Sequence, residues 1–193
     1  MATKNPFDQL TIRPGDVQRS QKWYQNQVKN LANAHGQVNR VLTRGEYDLE
    51  QRVLPGNLYL FKYDPKHKAT LPYYDVMPLV FPFAKAEGGF LALNLHYLPH
   101  ALRFKLMGAL LQLAMSIPER QRQTRMSWQL LNHASKYPGV HACVKHYLLG
   151  HVQTRFMKIH PDQWLAASMM PLEKFVGAPS NQVYKDSRKK VTA

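Results

Sequence analysis

Residues 55–116 constrain the fold more than any other stretch of the chain. Three short apolar runs, Leu58–Tyr63, Pro78–Ala84 and Phe90–Leu98, precede a helical run from His100 to about Ser116. In the first run Leu58, Leu60 and Lys62 fall on one face, and Tyr59, Phe61 and Tyr63 on the other. In the third, Phe90, Ala92, Asn94 and His96 oppose Leu91, Leu93, Leu95 and Tyr97. Period-two alternation of aromatic and aliphatic residues is the pattern of a half-buried strand. Glu87-Gly88-Gly89 tolerates positive φ, so the second and third runs are expected to pair as a hairpin. The second run carries Pro78 and Pro82, which cannot donate to a ladder, so this strand is expected at a sheet edge or interrupted. Pro99 ends the third run and suits a helix start.

The remaining chain frames this block. Residues 1–14 read as an extended arm with Pro6 and Pro14, and Asp16 caps a long polar helix reaching about Arg44. Its apolar stripe is thin, as in a helix that projects or packs on a partner. Residues 45–56 connect, and the loop 64–75 opens with the turn pair Asp64-Pro65 and contains Tyr73-Tyr74. Loops of this kind often carry contacts. Helices are expected over about 100–116, with a stripe of Leu102, Leu106, Ala109, Leu110 and Leu113, then over 119–136 and 140–159. The last has the cleanest stripe: Val140, Cys143, Val144, Tyr147, Leu148, Val152 and Phe156. One or two shorter helices follow over 161–177, and the tail from Ala178 is polar, basic and expected to be mobile until a partner orders it. The fold class is therefore α+β: a small antiparallel sheet (about 57–98), a helical C-terminal half, a long N-terminal helix and extended ends. The domain division is 1–54 (arm and helix), 55–177 (core) and 178–193 (basic tail).

Charge narrows the partner. Lys and Arg number 26 against 12 acids in 193 residues, a formal charge of +14, which favours a polyanionic partner, nucleic acid or an acidic protein or membrane surface. Between Gly88 and His160 the only acid is Glu119. No apolar stretch is long enough to suggest a membrane span, and the N-terminus lacks the apolar core of a signal peptide. The single cysteine, Cys143, excludes an intramolecular disulfide and a Cys-based zinc cluster; it reads as a small apolar residue inside a helix. His141, His146 and His151 are spaced by five, which does not place two ligands on one helical face, so no metal and no cofactor is expected. Asp64, Asp75 and Glu87 read as loop carboxylates, and no Gly-rich phosphate loop or nucleophile elbow occurs, so the chain is expected not to be an enzyme. Tyr59, Phe61, Tyr63, Tyr73 and Tyr74 are candidates for base stacking, against the plainer reading of core or interface. His96 reads as a partly buried strand histidine.

Several stretches together carry a resemblance: Pro55-Gly56-Asn57-Leu58-Tyr59, Lys62-Tyr63-Asp64-Pro65-Lys66, Leu71-Pro72-Tyr73-Tyr74-Asp75 and Gly89 through Pro99. It continues through Lys145-His146-Tyr147, Arg155-Phe156 and His160-Pro161-Asp162-Gln163-Trp164 to Lys185-Asp186-Ser187-Arg188. Over most of residues 55–190 the chain resembles the DNA end protectors, small virion proteins of large contractile-tailed bacteriophages. The resemblance implies a protein assembled in the host cytoplasm and carried in the virion, which binds double-stranded DNA ends of the phage genome and shields them from host exonuclease. The alternative is a structural subunit of the neck, tail or baseplate that binds neighbouring virion proteins; neither reading involves a membrane or a small-molecule substrate. The candidate DNA- or partner-binding residues are Arg120, Arg122, Arg125, Lys145, Arg155, Lys158, Arg188, Lys189 and Lys190. His141, Lys145 and Arg155 would share a basic face of the 140–159 helix.

Overall fold

The computed structural model describes residues 49–116 and 138–189. The expected N-terminal helix, the 119–136 helix, Arg120, Arg122, Arg125 and Lys190 lie outside the described residues. Eight strands form: β1 (Leu49–Glu50), β2 (Leu58–Leu60), β3 (Tyr74–Asp75), β4 (Leu79–Ala86), β5 (Gly89–Asn94), β6 (Val144–Leu148), β7 (Phe156–Ile159) and β8 (Phe175–Val176). The helices are α1 (His100–Ser116), α2 (Pro138–His141), α3 (Trp164–Met169) and α4 (Ser180–Lys189). Six strands make one antiparallel sheet in the order β1-β7-β2-β4-β5-β6, while β3 and β8 pair apart from it.

The β4–β5 hairpin forms where its turn residues require it, with Ala86 opposite Gly89 and Gly88 at φ 67°. β4 is interior in strand order, yet Pro82 costs little there. Its neighbour β2 pairs only with Leu79 and Val80, so β4 is one-sided beyond that point, and a bulge between Pro82 and Ala84 shifts the register with β5. The alternation of the first run holds, and that of the third holds as a strand only to Asn94, where a 3₁₀ turn (Leu95–Tyr97) begins; both faces are covered. Leu58, Leu60, Leu93 and Leu95 join the main core under α1 and α3, and Tyr59, Phe61, Tyr63, Phe90 and Ala92 join Tyr147 and Phe156 in an aromatic core on the other face.

The structure corrects the C-terminal half. Residues 140–159 form no continuous helix: β6 and β7 both fall within that span. β5 offers an open edge, and β6 pairs along it from Gly89↔Leu148 to Leu93↔Val144, so ladder hydrogen bonds override a locally helical apolar spacing. Cys143 is buried outside any helix, and burial pushes its thiol up to about 12. Residues 161–177 do hold the expected short helices, a 3₁₀ turn (Pro161–Gln163) that runs into α3, followed by β8. The segment expected as a mobile tail forms α4, whose Val183, Tyr184 and Ser187 are buried.

Pro99 immediately precedes α1, and its carbonyl accepts from Leu102 and Arg103 N–H. Its buried face is Arg103, Leu106, Met107, Leu110 and Leu111, while Leu102 and Ala109 are exposed. The expected stripe is thus rotated, because the helix is apolar nearly all round and a cation occupies its core side. Arg103 is fully buried. Its Nε donates to Leu98 O at 2.7 Å, Nη2 to His96 O at 3.1 Å and Tyr184 OH at 2.7 Å, and Nη1 to Ser168 O and Glu173 Oε2, both at 3.3 Å. Tyr184 OH in turn donates to Glu173 Oε1 at 2.9 Å. Burial alone would raise the Glu173 carboxyl, but the charge of Arg103 leads the opposing influences and holds it down at about 2.

Two outcomes follow from this cluster. Arg103→Met is expected to lose about 3–5 kcal/mol of stability in urea unfolding, because Glu173 is left buried without its cation. A depressed carboxyl stabilises the fold above its unfolded value of 4.5, and the contribution is lost as pH falls through about 2. Unfolding curves taken from about pH 6 down to about pH 2 should show a loss on the order of 3 kcal/mol that Glu173→Gln removes.

Candidate nucleic-acid interface

On the aromatic side of the sheet, beside the edge strand β6, lies a cleft of about 400 Å³. One wall is Lys145–Leu148 of β6, the other is the loop from Pro65 to Tyr74, and Tyr63, Asp75, Tyr97 and Tyr147 also line it. Those last four are buried. Lys66, His67, Leu71, Pro72 and His146 are exposed, and Tyr73 and Tyr74 are half-buried.

The loop wall is anchored at both ends. Asp64 N–H donates to His151 O at 3.0 Å, and His151 Nδ1 lies 2.9 Å from Asp64 O. Asp64 also pairs with Lys68 at 2.8 Å. Lys68 N–H donates to Pro65 O, and Thr70 and Leu71 N–H donate to His67 O, which closes the turn. At the far end β3 pairs with β8, Tyr74 opposite Val176 and Asp75 opposite Phe175. Gly177 follows at φ 93°, where an added Cβ would stand 2.5 Å from Pro72 O.

Beneath the cleft a polar network joins three elements. Asp75 Oδ1 accepts from Met77 N–H at 3.0 Å, and its Oδ2 accepts from Asn94 Nδ2 at 3.1 Å and lies 2.8 Å from His96 Nδ1. Asn94 Nδ2 also donates to Tyr147 OH at 2.9 Å, and Asn94 Oδ1 accepts from His96 N–H. Asp75 is therefore no ordinary loop carboxylate, and His96 is fully buried rather than partly so. These links join β3, β5 and β6, while His96 Nε2 is left buried without a hydrogen-bond partner among the described residues. Burial, with Asp75 nearby, pushes the Tyr97 and Tyr147 phenols up, so both stay neutral near pH 7. Lys145 Nζ sits 4.2 Å from the Tyr97 ring centroid, a cation over a π face. The cleft thus presents neutral aromatic surfaces beside cations, a combination suited to a flat, anionic ligand.

Of the candidate DNA- or partner-binding cations among the described residues, only Lys145 lines this cleft. Lys158 lies on β7, 3.2 Å from Glu50 Oε1. Arg155 is exposed in the segment before β7, Arg188 is exposed on α4, and Lys189 ends that helix. His141, on α2, shares no helical face with Lys145 or Arg155. Among the tyrosine candidates, Tyr59 and Phe61 are fully buried in the aromatic core, while Tyr63, Tyr73 and Tyr74 line the cleft. Lys66, His67 and His146 were missed as cleft-lining residues; the signal available for the first two was their place in the Tyr-rich loop after Asp64-Pro65.

A family model described as "Phage T4 terminal DNA protecting protein" matches residues 13–191. The chain belongs to this family. Searches of the curated proteins and of the solved structures returned no match. In this terminal DNA protecting family member the match spans the cleft, the Arg103 cluster and α4 alike.

Gly177→Ala tests how firmly the loop wall is held. Its Cβ would meet backbone in a left-handed conformation, so a loss of at least about 1 kcal/mol in urea unfolding is expected.

Proposed function

We propose that this protein binds the ends of the double-stranded phage genome and shields them from host exonuclease as a non-enzymatic virion component assembled in the host cytoplasm. The family match over residues 13–191 carries the reading. The charge of +14 supports it, since each phosphate neutralised by Lys or Arg releases condensed counterions. Backbone contact falls to Arg120, Arg122, Arg125, Arg155, Arg188, Lys189 and Lys190, with Lys145 at the cleft. Lys158 takes part only by giving up Glu50. Protection in this scheme is steric: a protein seated on the terminus occupies the place an exonuclease must engage.

The test compares blunt linear duplex with a closed circle of the same sequence, across a salt series and with exonuclease digestion alongside. Tighter binding to the linear form and protection from digestion are expected. With about six phosphates neutralised, affinity should fall about 10³-fold between about 50 and 200 mM salt. Equal, weak binding to both forms that vanishes by moderate salt would overturn the reading and favour a neck, tail or baseplate subunit that meets acidic protein surfaces.

A further inference from the structure

We propose that the cleft between β6 and the 65–74 loop receives the terminal nucleotide of the DNA, with its base against Tyr74 and its phosphate at Lys145. This assignment rests on the DNA-end reading and deepens it.

Size comes first. A space of about 400 Å³ is of small-ligand scale, whereas the major groove of a duplex is alone about 12 Å wide. A paired duplex does not enter such a cleft; a single unpaired nucleotide is of the right order. Chemistry comes second. A nucleotide offers one flat π face and one negative charge. The cleft offers half-buried tyrosines, an exposed Leu71, and cations from both walls, Lys66 on the loop and Lys145 on β6. Its one carboxylate, Asp75, is buried and engaged by Met77 N–H, Asn94 and His96 below the surface. Rigidity comes third. The wall bearing Tyr74 is fixed by the β3–β8 pair and by the close approach of Gly177 to Pro72. The stacking surface is therefore in place before the ligand arrives, which limits the ordering cost of binding.

This geometry explains how a protein with mostly backbone contacts distinguishes an end from a continuous duplex. An interior base must leave two stacked neighbours and its partner before it can enter a cleft. A terminal base has one stacked neighbour, so its extrusion costs least, as for any base already poorly paired. Backbone cations hold linear and circular DNA alike, and the cleft supplies the difference.

The experiment uses the full chain and duplexes carrying 2-aminopurine either at the terminus or at an interior position. Binding should change the fluorescence of the terminal probe and leave the interior probe unmoved. Tyr74→Leu and Lys145→Gln should abolish that change and cut the linear-over-circular preference about tenfold. Tyr74→Phe, which keeps the ring, should behave as the parent, and Lys145→Gln provides the test should Tyr74→Leu fail to fold. If Lys145→Gln and a folded Tyr74→Leu keep both the fluorescence change and the preference, the cleft assignment is overturned while end binding stands. If the parent protein itself binds linear and circular DNA equally, the end reading falls and the cleft assignment falls with it.

Discussion

The buried guanidinium of Arg103 is the interaction on which the described structure most depends. A guanidinium has five N–H donors in a fixed fork and no acceptor, so burying it demands several acceptors at set directions. Those acceptors come from the 3₁₀ turn and residue after β5 (His96 and Leu98), from α3 (Ser168), from the segment before β8 (Glu173) and from α4 (Tyr184). One side chain thereby fixes where α1, α3 and α4 meet the end of the sheet. Desolvating a cation is costly, and the arrangement holds because Glu173 supplies the opposing charge and Tyr184 bridges the two.

The other side of the same segment builds the cleft. Asn94, His96 and Tyr97 belong to a short stretch whose backbone carbonyls serve Arg103 and whose side chains reach Asp75, Tyr147 and Lys145. Core and cleft are therefore set by one piece of chain. The Asp75–Asn94–Tyr147 links tie β3, β5 and β6 together, so the cleft has a floor that does not need to rearrange around a ligand. The aromatic core beneath, where Phe61 contacts Phe90, Tyr147 and Phe156 edge-on, backs that floor with closely packed rings.

The positive charge is distributed in two ways. Arg103 is consumed by the fold and Lys158 pairs with Glu50, so neither is a ready surface cation. Arg155 and Arg188 are exposed on separate elements, the segment before β7 and α4, while Lys66 and Lys145 line the cleft. Under the proposed function, attraction to the DNA backbone falls mainly to the exposed cations and recognition of a terminus to the cleft. Attraction scales with the number of cations and fades with salt. Recognition depends on a pocket's shape and its π surfaces.

By itself the sequence determined what depends on neighbours along the chain. The alternation of Leu58–Tyr63 and of Phe90 onward, the hairpin at Gly88, the helix start at Pro99 and the excess of cations were all legible, because each rests on local backbone geometry or on counting. The rest was decided by tertiary structure. Residues 140–159 carry apolar groups at helical spacing, and nothing local reveals that β5 presents an open edge to which Val144–Leu148 can pair. Arg103 looks like one more surface cation until α4 and Glu173 close over it from about 70 residues away. Tyr73, Tyr74, Lys145 and His146 line one cleft only because β6 joins that edge and the β3–β8 pair holds the loop opposite. These are long-range pairings, stabilised by hydrogen bonds and burial between segments far apart in sequence, and a local pattern does not encode them.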